Sequence, residues 1–321
     1  RDDRLWTPLH FASSGSQPDA VKKLIEIGAE VNAISSSGNM PLELAISSGV
    51  AEILLSNGAL LDIEADGNSK NPLMRACWSN NEDMVKTLLA FGADTSFVDS
   101  DNTPLTISIS HGLRNIVSLL LDAGADVNHA PTGHTPLSTG IGFGYENIVS
   151  LLLDRGADVN LRDKDGSTPL HDAARETSSR LVKELISRGA DVNAMDDYGR
   201  TPLHSLALHS HSAVKMGSTE LTESELNQLL VKEASIDMLL YVVSEGILET
   251  TDSIIASLLD KGAELNRRDG SEKTPFKLAV SIDNIISAMS LKKAGAEFEG
   301  GSLEQAVKAS RIVNPLELSE L

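Results

Sequence analysis

The sequence predicts an all-α solenoid, built of stacked helix-turn-helix units with protruding hairpin-like loops. Three observations carry this. A tetrad Thr-Pro-Leu-His stands at Thr7–His10, Thr168–His171 and Thr201–His204, and weaker copies start at Met40, Asn71, Thr103, Thr135 and Thr274. Successive starts lie 33, 31, 32, 32, 33, 33 and 73 residues apart, a period typical of solenoid units. A second signature, Gly-Ala-Asp-Val-Asn, runs in phase at Gly124–Asn128, Gly156–Asn160 and Gly189–Asn193. Variants occupy Gly28–Asn32, Gly92–Ser96 and Gly262–Asn266, and Gly58-Ala59 and Gly295-Ala296 complete the series. Between the two signatures the apolar residues fall at helical spacing, as in Ile116, Val117, Leu119, Leu120 and Leu121.

Each element has a physical reason. Proline at the second tetrad position fits the first turn of a helix, where its missing N–H is not needed. The preceding threonine caps that helix with its hydroxyl. The tetrad leucine and the alanine that follows face the neighbouring unit. The apolar stripe then forms a second helix, which the Gly of Gly-Ala ends by adopting a left-handed conformation. Asp-Val-Asn leads into a turn such as Asp196-Asp197-Tyr198-Gly199. No unit buries its own apolar face, so stacking builds one elongated core.

Two phased motifs in eight units resemble the ankyrin-repeat family over about residues 3–298. The resemblance implies a non-catalytic protein–protein interaction module that offers a concave surface of loop tips and first-helix faces to a protein partner. It further implies a monomer with no cofactor in the cytoplasm or nucleus. A second reading makes the array a regulatory or targeting segment of a larger enzyme, channel or effector. Arg1 opens the chain without an initiator Met and Thr7 already starts a unit, as expected for a piece of something longer. The resemblance gives the tetrad histidines a structural role, bonded to the tetrad threonine and nearby backbone. It also implies that Asn32, Asn128, Asn160, Asn193 and Asn266, which end the second signature, match a site of asparaginyl β-hydroxylation.

The pattern breaks in four places. The seventh unit, starting at Thr201, carries a 40-residue insertion over about 210–250, with a capping box at Thr222-x-x-Glu225 and an irregular amphipathic stretch beyond it. It reads as a helical elaboration, a docking element or a degenerate extra unit. The second unit is three residues short, a deficit assigned to its second helix, and its exit loop over 64–70 lacks the usual Asn. The fifth unit places Gly140, Gly142 and Gly144 in its first helix, marking a soft joint or a close approach. Residues 299–321 read as a C-terminal cap or the start of a further unit.

Composition narrows the chemistry. Lys plus Arg is 27 against 46 Asp plus Glu, a net charge of −19, which excludes broad binding to phosphate backbones. Aromatics at 3% exclude base-stacking platforms. No run approaches the ~18 to 20 apolar residues of a membrane span. A single cysteine, Cys77, excludes an internal disulfide and reads as packed in a first helix. No phosphate loop, nucleophile elbow or His-Glu-x-x-His motif is present, so neither an enzyme nor a metal site is expected.

Partner-binding candidates follow from register. First-helix positions at tetrad start plus 4, 7 and 8, taken as exposed, include Phe11, Arg75, Trp78, Ile107, Phe143, Asp172 and Arg175. Loop-tip candidates are Arg162, Lys164, Met195, Tyr198, Arg200, Arg268 and Lys273. Trp78 with Arg75 is an aromatic–arginine pair of the kind that dominates interfaces. The basic groups of the C-terminal half reverse the sign of an acidic chain, which points to an acidic or phosphorylated protein segment.

Overall fold

The computed structural model describes residues 5–61, 71–99, 102–131, 133–208, 215–216, 219–220, 247–281 and 285–297. The insertion over 210–250 therefore falls largely outside them, as do the exit loop at 64–70 and the tail from 299. Two bodies are present, residues 1–157 and 158–321.

The first body stacks five helix pairs: α1 Pro8–Ser14 with α2 Pro18–Glu26, α3 Pro41–Leu44 with α4 Ser48–Ser56, α5 Pro72–Trp78 with α6 Glu82–Ala90, α7 Pro104–Ser110 with α8 Arg114–Asp122, and α9 Pro136–Gly142 with α10 Glu146–Asp154. Second helices pack on second helices along the whole stack, and first on first at α1–α3, α5–α7 and α7–α9. Every first helix opens on proline. Thr103 Oγ1 accepts from the Thr106 N–H at 3.1 Å, and Asn71 Oδ1 accepts from the Met74 N–H at 3.0 Å. Each second helix ends two residues before a left-handed glycine, as Asp122 stands before Gly124 at φ +90°. The N–H of Ala125 then turns back to Leu120 O at 3.0 Å, closing the last turn. The core joins first-helix side chains such as Leu9, Leu73, Leu105 and Leu137 to a line of second-helix side chains, Val50, Leu54, Val85, Leu88, Ile116, Leu120, Ile148 and Leu152.

Two expectations are corrected here. The deficit of the second unit lies in its first helix: α3 has 4 residues where the others have 7, while α4 keeps the usual 9. The apolar face of α4 must stay in phase with Gly58 to reach the core, so the lost turn is taken from α3. Ala45 leaves the helix with φ −66° and ψ 126°. Gly144 is not helical. It lies in the three-residue turn between α9 and α10 at φ +71°, where other units force Ser16, Asn80 and Thr177 to φ +51°. Glycine is the unstrained choice there, so it relieves this turn. Gly140 is in the helix, and a Cβ on it would stand 3.1 Å from Val149 Cγ2, so its absence lets α9 and α10 close up.

The second body holds α11 Pro169–Arg175 with α12 Ser179–Ser187, α13 Pro202–Leu208 with α14 Ile247–Asp260, and α15 Pro275–Ser281 with α16 Ile285–Lys293. Lys215–Met216 (β1) pairs antiparallel with Thr219–Glu220 (β2). At 14 residues α14 exceeds the usual second helix. It packs directly on α12, and Asn193 Nδ2 donates to Gly262 O at 2.9 Å across 69 residues of sequence. The three readings of the insertion, among them the extra unit, lie outside the described residues.

Side chains tie successive units together. His171 Nδ1 accepts from the Thr168 N–H at 3.1 Å, which places its proton on Nε2, and Nε2 donates to Arg200 O at 2.9 Å. His204 repeats this with Thr201 and Lys273 O, and His10 with Thr7 and Asn39 O. The acceptor role of Nδ1 suits the neutral form of the His171 and His204 rings. Burial pushes the His171 and His204 pKa values below the ordinary 6.5, against the opposing pull of the backbone carbonyls and of Asp163, Asp196 and Asp269. A depressed histidine stabilises the fold fully above the unfolded pKa, and the stabilisation is lost as pH falls through the folded value. The urea midpoint is therefore expected to drop between pH 7.5 and 5.5, where carboxylates stay ionised. The drop should shrink in a His171→Gln/His204→Gln variant; equal drops in both proteins would remove the histidines as its cause.

Candidate functional site

The loop tips of the second body form its most organised surface. Asp163, Asp196 and Asp269 each gather two backbone N–H groups of their own loop, at 2.8–2.9 Å. Adjacent tips then join through backbone: the Asp197 N–H reaches Asp165 O at 3.1 Å, and the Gly270 N–H reaches Tyr198 O at 2.7 Å. Met195 and Tyr198 are exposed on these tips. The Arg200 guanidinium lies 4.6 Å from the centre of the Tyr198 ring, a cation–π contact that holds the ring upright.

The basic groups differ once their partners are known. Arg162 bonds Asp197 and Met195 O, linking two tips, and is half exposed. Arg175 pairs with Asp172, whose carboxylate is buried beneath it. Arg268 pairs with Glu272 at 3.1 Å and Arg267 with Glu264 at 3.2 Å. Lys273 donates to Ser281 Oγ. Among the described residues, Lys164, Arg200 and Lys273 face no carboxylate within ion-pair distance. The positive character of this face thus falls on fewer groups than the sequence suggests.

In the first body the expected Trp78–Arg75 pair does not form. The Arg75 guanidinium reaches back to the preceding unit, donating to Glu43 O and, at 2.7 Å, to Ala45 O. Burial lowers its pKa, and Glu43 opposes this. Arg75 therefore fills the gap left by the missing turn of α3, beside a cavity of about 730 Å³. Trp78 points toward the following unit and stays exposed, its ring edge-on to His111 at 4.6 Å. Phe143 is exposed and stacks on Tyr145 at 5.9 Å. His111 occupies the same register position as Phe143 and belongs with the candidates; the plus-8 rule points to it.

The plus-4 position is corrected. Ile107 is 2% exposed and Asp172 4%, against 52% for Phe11. Arg75 shows the cause within the first body, since this position faces the preceding unit. Asn32, Asn160, Asn193 and Asn266 bridge units as well. Asn32 Nδ2 donates to Gly58 O and its Oδ1 accepts the Leu60 N–H; Asn160 and Asn193 repeat this with Gly189 and Asp191, and with Gly262 and Glu264. Asn266 Oδ1 accepts from Glu297 N–H, and the Asn128 N–H bonds Asp126. Cys77 is fully buried and its thiol is pushed up to about 11 by burial, so it is a packed group. Among the described residues no cluster of three or more His, Cys, Asp or Glu is placed to hold a metal, and no helix is long and apolar enough to cross a membrane.

The family model for ankyrin repeats (three copies) matches residues 1–67, 73–163 and 144–216, well over half of the chain. The chain belongs to the ankyrin-repeat family. Its ankyrin units are similar to the rat nuclear factor NF-kappa-B p105 subunit, 34% identical over 101 residues, which are 30% of this chain and 10% of that one. Protein PhlB of Serratia liquefaciens is 32% identical over 112 residues, 34% of this chain and 49% of that one. Notch homolog protein 1 of Cricetulus griseus is 38% identical over 99 residues, 29% and 4% of the two chains. The chain thus spans less than half the length of these curated relatives. Among solved structures, the ankyrin repeat domain of Bcl-3, a member of the IkappaB protein family, aligns with a TM-score of 0.55 at 28% identity. That alignment covers 62% of this chain and 92% of the Bcl-3 chain.

Proposed function

We propose that this ankyrin array is a non-catalytic protein-interaction module whose loop-tip face over residues 162–200 and 268–273 takes an acidic or phosphorylated protein segment. One observation carries the reading: Tyr198 is exposed, braced by Arg200 and set on tips joined by backbone bonds. A rigid aromatic beside a cation with no carboxylate of its own is the composition of an interface anchor. Lys164 and Lys273 extend the positive edge, and Met195 adds adaptable apolar surface. Arg162, Arg175 and Arg268 act in this reading through the carboxylates they already hold, shaping the face more than attracting a partner. The alternative of a regulatory or targeting segment within a larger protein uses the same face.

The test is a binding titration with glutamate-rich and phosphoserine-containing peptide pools. Lys164→Glu/Arg200→Glu is expected to weaken binding at least tenfold and to lower its salt dependence. Arg268→Glu, which removes an already paired cation, is expected to change it by less than threefold. Equal binding by wild type and the double variant would overturn the reading.

A further inference from the structure

The shortened α3 leaves a hole in the first body. Its 4 residues stand where the other first helices of that body have 7, so it stops about one turn early. The chain then continues extended through Ala45 at φ −66° and ψ 126°. Against α5 and the start of α6, this leaves a cavity of about 730 Å³. Sites for small ligands have volumes of roughly 300–1,000 Å³.

The polar groups around it separate by what they already hold. Glu43 Oε2 accepts the Met40 N–H at 2.6 Å. Glu82 Oε1 accepts from Asn115 Nδ2 of the following unit at 2.8 Å. Asp83 is exposed beside Lys86, at 3.7 Å. Asn81 bonds both the Met84 N–H and Ile46 O. Arg75 is the exception. A guanidinium carries five N–H donors, and this one places two of them on Glu43 O and Ala45 O. The Glu43 carboxylate acts on it through space, and among the described residues no carboxylate forms an ion pair with it. Three donors therefore remain on a half-buried cation in the cavity wall. Beside it, Leu42, Leu44, Ile46, Ala76 and Met84 make the wall apolar.

We propose that this cavity binds a carboxylate carried on a compact apolar body. Arg75 takes the carboxylate through two of its remaining donors, in the planar two-bond geometry that a guanidinium offers. The bonds to Glu43 O and Ala45 O stay in place, so the same side chain holds the end of α3 and receives the ligand. The apolar body lies against Ile46 and Met84, in the space of the missing turn. A free organic acid and the C-terminal carboxylate of a peptide share this chemistry. The site belongs to the first body and has no residue in common with the loop-tip face.

The test is a titration of the whole nitrogen-15-labelled chain with phenylbutyrate and with its uncharged amide. It is followed at the Arg75 Nε–H and at the backbone N–H groups of Ala45 and Asp83. The acid is expected to shift all three saturably and to bind about tenfold more tightly than the amide. Arg75→Lys keeps the charge without the fork and should remove most of that preference. Asp83→Asn removes an exposed like charge at the cavity and should tighten binding of the acid about twofold. Equal affinity for acid and amide on the unchanged chain would overturn the proposal, whatever the variants do. So would binding of the acid that leaves the Arg75 Nε–H unmoved. A short peptide ending in phenylalanine, with a free or an amidated C-terminus, separates the two sources. Tighter binding of the free-ended peptide than of phenylbutyrate assigns the site to a protein C-terminus, and the reverse assigns it to a small acid.

Discussion

Arg75→Ala is expected to destabilise the first body by about 2–3 kcal/mol. Charge-assisted hydrogen bonds contribute about 1.5–3 kcal/mol each when lost from a buried site, and partial access of water at this half-buried position reduces their combined effect. The guanidinium donates to two carbonyls, those of Glu43 and Ala45, at the broken end of α3. A helix of 4 residues has no spare turn in which to satisfy them. Asn81 Nδ2 supports the next carbonyl, that of Ile46, at 3.0 Å. The third unit thus holds the C-terminal end of α3 with two side chains. Arg75→Lys presents a single ammonium and should recover only part of the loss, because a point donor does not reproduce the planar fork. The measurement is the urea midpoint together with hydrogen exchange at Leu42–Ile46. Protection there should fall in Arg75→Ala and remain unchanged over α7 and α8. A midpoint equal to that of wild type would remove the strut role and return Arg75 to the candidate binding surface.

This residue also shows how much of the molecule the sequence makes legible. The signals that depend on backbone geometry alone are read correctly, proline at each first-helix start and glycine after each second helix, and the bonds of the tetrad histidines to threonine and backbone, which the family resemblance implies, are present. The proline and glycine signals are local, because a single residue type satisfies a single conformational demand. The three-residue deficit of the second unit was visible in the spacing, but its place was not. Ile46-Ser47-Ser48-Gly49 fits a helix end or a turn equally well, and only core packing of Val50 and Leu54 against neighbouring units decides it. The plus-4 position was misread because its exposure depends on whether a unit stands before it. Charge pairing was the least legible. Arg162 meets Asp197 across 35 residues, and both are ordinary loop residues in the sequence. Basic groups counted by register therefore overstate the positive face, and Lys164 and Arg200 stand out only once the pairs are drawn.

Gly199→Ala is expected to cost about 2 kcal/mol and to weaken binding at the loop-tip face. Two effects add. Gly199 sits at φ +72°, where alanine is strained by about 1 kcal/mol. A Cβ there would also stand 2.8 Å from Gly270 N and 3.4 Å from Gly270 Cα, and both neighbours are backbone. The next tip must shift, which breaks the 2.7 Å bond from Gly270 N–H to Tyr198 O, worth about 1 kcal/mol. Gly189 separates the two contributions. Its φ is +92° and a Cβ on it meets nothing within 4 Å, so Gly189→Ala carries the conformational strain alone, about 1 kcal/mol. The difference between the urea midpoints of the two variants isolates the backbone approach. Equal midpoints would mean that the pairing of the tips contributes nothing to stability. If the pairing holds, the same displacement moves Tyr198 and its bracing Arg200. Peptide binding should then fall in Gly199→Ala and persist in Gly189→Ala, tying the rigidity of the face to its affinity.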